Sequence, residues 1–187
     1  MRAKILDLRP TQFSIGIKDV EDKIRKIQSV RTKEQDKKVP VILGPKGKMY
    51  MIDHHHFVRA MWECNERYVY VEVKADLSKL SKKKFWTAMK KLEWAFLYDQ
   101  LGQGPHDPNA LPDDVRGMGD NKYRSLAWMI REKSGFEKSP KPFAEFYWAE
   151  YFREHMKGID PLSKKGIAVA IKLCKSKRAV RLPGFKK

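Results

Sequence analysis

The feature that most constrains this chain is a pair of β-prone runs, Val39-Pro40-Val41-Ile42-Leu43 and Lys48-Met49-Tyr50-Met51-Ile52, joined by Gly44-Pro45-Lys46-Gly47 and followed at once by Asp53-His54-His55-His56. Glycine and proline suit a tight reversal, so the two runs read as a hairpin. Beyond the histidines, Phe57, Ala60, Met61 and Cys64 mark one apolar face of a short helix. Together these residues call for a strand that passes directly into a helix through a polar turn. Such a junction leaves backbone N–H groups facing outward at the positive end of the helix dipole, where phosphate binds readily.

The side chains of the turn suit the same guest. Three histidines add donors, and Asp53 stands at the strand edge, where a carboxylate can hold Mg2+ or accept a proton from an attacking hydroxyl. Arg59, one turn along the helix, can neutralise a phosphoryl oxygen. The plain alternative is that Asp53 only caps the helix and the histidines are surface or core polar residues. A cap needs the carboxylate alone, and histidine is a mediocre helix former, so three in succession favour a functional site. Zinc fits less well, because neighbouring helix residues diverge by about 100° and cannot all face one ion.

Around this junction the pattern predicts an α+β unit over residues 1–80. A first strand over residues 3–8 stops at Arg9-Pro10, since proline cannot extend a ladder. Val20, Ile24 and Ile27 recur at helical spacing over 17–29, residues 31–38 form a solvated connection, and 68–75 alternate as a strand. After Leu80 the periodicity becomes helical. Ser81 caps a helix carrying Phe85, Met89 and Leu92, and an irregular stretch covers 98–113. Helices follow over 123–133, with Asp120 as cap and Gly135 as stop, over 143–156 behind Pro142, and over 162–175. The expected architecture is α+β, a small mixed sheet with helices followed by a helical C-terminal half, residues 81–187, that ends in a basic tail.

Composition bounds the partners. The 187 residues, 42% of them apolar, suffice for a buried core. Lys and Arg number 40 against 23 Asp and Glu, and a formal charge of +17 attracts polyanions such as nucleotides and nucleic acid without choosing among them. The last 26 residues hold no acid at all. Such a tail either lies along nucleic-acid phosphates or is a frayed, solvated terminus. No helix-turn-helix signature, zinc finger or RNA-binding aromatic pair accompanies it, so sequence specificity is not expected. Cys64 and Cys174 lack a CxxC partner and read as buried thiols. No stretch approaches the ~18 apolar residues of a membrane span and the start lacks a signal-peptide core, so the expectation is a cytoplasmic protein with no membrane partner.

The segments Arg9-Pro10-Thr11-Gln12, residues 39–63 with their Asp-His-His-His turn, and Tyr-Val-Tyr-Val-Glu-Val-Lys-Ala-Asp-Leu-Ser at 68–78 resemble the ParB-like nuclease family, the branch of the ParB and sulfiredoxin superfamily marked by that turn. Tyr123-Arg124-Ser125-Leu126-Ala127 and Pro142-Phe143-Ala144-Glu145-Phe146 resemble the helical half of the same branch. The resemblance implies an α+β core whose strand-to-helix turn binds phosphate. Related turns read GCHR in sulfiredoxin, which works with ATP, DGHHR in free-serine kinases, and GERR in partition proteins, which bind CTP beside DNA. Carried over, Asp53 matches the kinase aspartate and His55 and His56 its paired histidines. Phe57 stands where those relatives keep arginine, so Arg59 takes over the phosphate contact. His55 replaces the sulfiredoxin cysteine, which removes sulfinic acid repair.

Secondary candidates complete the expected site. Arg9 and Gln12 follow the first strand and can approach the phosphate, while Glu21 is a base or, more plainly, a solvated charge. Tyr123, Arg124 and Ser125 begin a helix that can close over a ligand, although Ser125 also reads as a cap. Glu145 lies on an aromatic helix, as an acid/base group or as a salt-bridge partner of Arg124. Two functions remain open. One is phosphate-ester chemistry, nuclease or nucleotide-dependent phosphotransferase, with catalytic Asp53, His54, His55, His56 and Glu145 and with Mg2+ and ATP or CTP as cofactors. The other is a non-catalytic nucleotide- or nucleic-acid-binding module.

Overall fold

The computed structural model describes residues 1–29 and 37–186. The connection expected over 31–38 lies outside these residues except at its end, where Lys38 already belongs to a strand. In chain order the elements are β1 (Arg2–Lys4), β2 (Leu8–Pro10), β3 (Ser14–Ile15), α1 (Ile17–Ser29), β4 (Lys38–Leu43), β5 (Met49–Met51), α2 (His55–Glu63), β6 (Tyr68–Asp76), α3 (Lys82–Lys91), β7 (Gly119–Asp120), α4 (Lys122–Glu132), α5 (Ala144–His155) and α6 (Lys164–Cys174). The fold is mixed α+β. The chain divides into two compact units, Met1–Ile15 with Val20–Gly119, and Gly16–Asp19 with Asp120–Lys187.

In the first unit, five strands form a sheet in the order β1-β6-β4-β5-β2. The hairpin is present, with Val41 opposite Met51 and Ile42 opposite Tyr50. β2 runs parallel to β5 and places Pro10 beside Met51. Strand alternation buries Val39, Val41, Val69 and Val71 on one side of the sheet. A bulge then shifts the pairing of β4 with β6, so that Val41 meets Val73 but Ile42 meets Ala75. On the second side, Ile42 packs with Phe85, Trp86 and Met89 of α3, whose cap Ser81 accepts a hydrogen bond from the Lys84 amide at 3.4 Å.

The single strand expected over 3–8, with its stop at Arg9-Pro10, is two strands separated by a 3-10 turn, Ile5–Asp7. The second runs through Arg9 and Pro10, because an edge strand tolerates proline. The break lets Ile5 go into the core while its amide donates to the Arg67 carbonyl at 3.0 Å. A period-two reading of Ile5, Leu6 and Leu8 could not reveal that register change.

The second unit packs α4, α5 and α6 around Trp148, whose ring stacks on Phe136 with centroids 4.3 Å apart. The α4 cap is Asn121 and not Asp120, because Asn121 directly precedes the helix and its Oδ1 accepts from the Arg124 amide at 3.0 Å. Asp120 instead accepts from the Ile17 amide at 3.2 Å. The C-terminal segment is held by packing and hydrogen bonds through Phe185. Trp148 Nε1 donates to the Pro183 carbonyl at 2.8 Å, and the Glu137 amide donates to the Gly184 carbonyl at 2.7 Å. A buried indole N–H requires such an acceptor. Cys174 is buried as expected, and burial pushes its thiol up to about 12, whereas Cys64 is only half-buried. Among the described residues no helix is long and apolar enough to cross a membrane.

Gly166 in the first turn of α6 reverses a common rule. Glycine to alanine inside a helix ordinarily stabilises by up to about 1 kcal/mol. Here the added Cβ would meet the Asp160 carbonyl oxygen at 2.2 Å and that of Pro161 at 2.8 Å. Gly166→Ala is therefore expected to lose about 1–3 kcal/mol, read as a lower denaturation midpoint in urea. An unchanged or raised midpoint contradicts this packing.

Candidate phosphate-binding turn

Because β2 and β5 are parallel, their C-terminal ends meet, and the chain leaving β5 turns there through Asp53 and His54. His54 has φ of 67°, a left-handed conformation uncommon outside glycine and asparagine, and it caps α2. Asp53 Oδ1 accepts from the His54 amide at 2.6 Å, and Oδ2 lies 3.5 Å from His54 Nδ1. The carboxylate thus holds the turn rather than the helix amides, which differs from the plain capping role. The His54 carbonyl accepts from the Val58 amide at 2.9 Å, and the cap contributes no side-chain acceptor. His55, His56 and Phe57, which open the helix, are only 2%, 9% and 1% exposed. A helix start that is buried without a side-chain cap is a setting in which an anion completes the hydrogen bonding.

The charges at the turn are ordered. The Asp53 side chain is 73% exposed. Its partial desolvation favours the neutral acid, but hydrogen bonds from His54 and the nearby His54 and His55 rings outweigh this and hold the carboxyl well below the usual carboxylate range. His55 behaves oppositely. Burial is the main cause that lowers it to about 4, against the pull of Asp53 and a hydrogen bond to the Met51 carbonyl. Its Nε2 accepts from the Thr11 amide at 3.3 Å, and Thr11 Oγ1 donates to the same Met51 carbonyl at 2.8 Å. His55 is therefore a neutral connector that ties the end of β2 to the end of β5.

This placement changes the expected division of labour. His55 was expected to face a phosphate, but its ring is engaged inside the unit. Adjacent helix residues point about 100° apart, so three consecutive histidines cannot share one task. Arg59 donates from Nε to Glu63 at 2.6 Å and from Nη1 to the Val115 carbonyl at 3.0 Å, which joins α2 to a 3-10 turn, Val115–Gly117. Arg9 pairs with Asp113, and Gln12 is buried with Nε2 donating to the Ser14 carbonyl at 2.8 Å. The sequence reading missed Thr11, which makes the contact expected of its neighbours Arg9 and Gln12. It also missed Lys37, whose Nζ lies 5.8 Å from the Phe57 ring centroid and brings a cation to the first turn of α2. Only the placement of Lys37 directly before β4 could have pointed to it.

The other candidates belong to the second unit. Arg124 is buried there, with Nη2 3.7 Å from Asp19 and 3.9 Å from Glu145, and Glu145 also pairs with Arg131. Ser125 does not cap α4; its Oγ accepts from the Lys18 amide at 3.2 Å. Tyr123 lies under the Arg153 guanidinium at 5.0 Å. Among the described residues no three His, Cys, Asp or Glu gather as a metal cage. Asp53 offers a single exposed carboxylate, a donor set that suits Mg2+ completed by water and phosphate oxygens, since that ion is commonly held by one or two carboxylates plus substrate.

A mixed five-stranded sheet whose parallel strands end at a strand-to-helix turn over an ionised aspartate defines an α+β domain organised around one polar junction. The chain belongs to the ParB-like family: the family model described as "Putative ParB-like nuclease" matches residues 1–154. The crystal structure of protein Atu1540 from Agrobacterium tumefaciens is 34% identical with a TM-score of 0.92, over 100% of this chain and 97% of that one. The C-terminally truncated chromosome-partitioning protein ParB from Caulobacter crescentus, solved with CTP-gamma-S, is 15% identical with a TM-score of 0.34, over 92% of this chain and 97% of its own. The same protein on its centromeric parS site gives 15% and 0.34, over 97% of each chain. Likeness of that degree carries nothing over to this site. No curated protein matches the chain.

Proposed function

We propose that this protein binds a phosphate ester at the start of α2 and acts on it, as a nuclease or a nucleotide-dependent phosphotransferase. The observation that carries the reading is the junction itself: a buried helix start whose cap lends no side-chain acceptor, beside an exposed aspartate kept ionised. The amides of the first turn would hold phosphate oxygens, with Lys37 adding positive charge. Asp53 would serve as a Mg2+ ligand or as the base that takes a proton from the attacking hydroxyl. Mg2+ bound there would supply charge neutralisation of the phosphoryl oxygens. His54, at the rim, would orient the Asp53 carboxylate, and buried His55 and Thr11 would keep the turn in place.

The excess of 17 positive charges supports a second reading, a non-catalytic nucleotide- or nucleic-acid-binding module. A thermal-shift screen with ATP, CTP, duplex DNA and Mg2+ separates the two. A ligand that prefers the folded protein raises the melting temperature by mass action. The expected result is a rise of several degrees with ATP or CTP that depends on Mg2+. A response to DNA that Mg2+ leaves unchanged would favour the binding module, and no response to any phosphate ligand would remove both.

A further inference from the structure

At the other end of α2, roughly 13 Å from the turn, lies a surface that the proposed chemistry does not use. β6 sits between β1 and β4, and its register places Tyr70 opposite Arg2 and Lys38, and Tyr68 opposite Lys4. Alternation sends Val69 and Val71 into the core and leaves Tyr68 and Tyr70 39% and 44% exposed. α3 covers this side of the sheet around Ile42 and Ala75, beyond the bulge, and the two tyrosines lie before it. Next to Tyr68 is a hollow of about 270 Å³ lined by Lys4, Leu6, Trp62, Arg67 and Tyr68. The Arg67 and Arg116 guanidinium carbons lie 4.9 and 5.6 Å from the centre of the Trp62 ring system, and that of Arg2 lies 4.6 Å from the Tyr68 ring. Two acids beside these cations are themselves paired, Glu72 with Lys74 at 2.8 Å and Asp114 with Arg116 at 2.8 Å.

Alternating aromatic rings and cations on an open sheet suit a strand of unpaired bases. Every base has a π-face to lay on an aromatic ring, and each linking phosphate needs a cation. A duplex keeps its bases stacked on one another and cannot offer those faces. Tyr68 and Tyr70 are two residues apart on one strand, about 7 Å, a spacing suited to successive splayed bases. We propose that this face binds single-stranded nucleic acid, with bases stacked on Tyr70, Tyr68 and Trp62 and phosphates held by Arg2, Lys4 and Arg67. Arg2 occupies the face of Tyr68 that a base would take and swings to the phosphate as the base arrives. Alternation along 68–75 already puts the aromatic pair on one face, but its cations are invisible in the linear sequence, because only the pairing of β6 with β1 and β4 brings them there. The inference does not depend on chemistry at Asp53.

The test is fluorescence anisotropy with labelled 15-nucleotide oligo-dT, oligo-rU and a duplex of equal length, at two salt concentrations. The single strands are expected to bind more tightly than the duplex. Tyr68→Ala with Tyr70→Ala should weaken oligo-dT at least tenfold, the melting curve confirming that the variant folds, while Tyr68→Phe with Tyr70→Phe should bind like the parent. Removing Arg2 and Lys4 should flatten the salt dependence by about one unit of slope each. Measured in EDTA, so that no metal bridges a phosphate to the turn, Asp53→Asn should leave single-strand binding unchanged, and loss of turnover and loss of this surface are told apart. Tighter binding to duplex, full affinity in the double alanine variant, or loss of binding in Asp53→Asn alone overturns the proposal.

Discussion

Replacing Asp53 by Asn is expected to lower turnover of a nucleotide or nucleic-acid phosphate ester by about 10²–10⁴-fold, the range for loss of a positioned base. The substitution removes charge and keeps shape. Asparagine Oδ1 can still accept from the His54 amide, the 2.6 Å bond that holds the turn, so the left-handed His54 and the start of α2 should persist. Phosphate binding, read as the nucleotide-induced thermal shift, should survive where it rests on helix amides, and should weaken where Mg2+ bridges the carboxylate and the phosphate. The carboxyl is held below its usual range, so in the parent protein it stays ionised throughout the neutral region and adds no rising acid limb there. Undiminished turnover in Asp53→Asn would refute a role for this group in the chemistry.

Stability should fall by about 3 kcal/mol as the pH drops from 6.5 to 4, because His55 must gain a proton. The folded state lowers this group from 6.5 to about 4, so the unfolded chain binds the proton more tightly. The contribution is complete above pH 6.5, is lost progressively down to about pH 4, and changes no further below that. Asp53 is also lowered, but its own loss of stability sets in only as the pH nears the ordinary aspartate value of 3.8 and falls mostly below this window. Urea midpoints measured between pH 7 and 4 should show the slope in the parent and a shallower one in His55→Gln. Equal slopes in the two proteins would mean that the buried imidazole is not what responds.

Much of this organisation was readable beforehand, for reasons that can be named. The hairpin followed from two β-prone runs around Gly44-Pro45-Lys46-Gly47, and the start of α2 from the apolar spacing of Phe57, Ala60 and Met61. These are local signals, carried by residues adjacent in sequence. The interruption at Ile5–Asp7 was hidden because its cause, the bond from Ile5 to the Arg67 carbonyl, joins residues far apart in the chain. Asp120 and Asn121 are equally good caps by type, and only helix phase chose between them. The three histidines read as one cluster in sequence, yet the helix turns successive residues apart, so His55 went inward to Thr11 while His54 stayed at the rim. The basic tail lacked any pattern that announced Trp148 as its anchor, because the Pro183 acceptor is a backbone carbonyl that any residue could provide.

The bulge between β4 and β6 has a reach well beyond its single surplus residue, Lys74. In a regular ladder the residue after Val73 would face Ile42, which would set an ammonium against the greasy underside of α3. Skipping that residue hands the position to Ala75. One strand is thereby hydrophilic along its early course and oily along its later course while looking in the same direction, and a single sheet can be roofed at one end and left bare at the other.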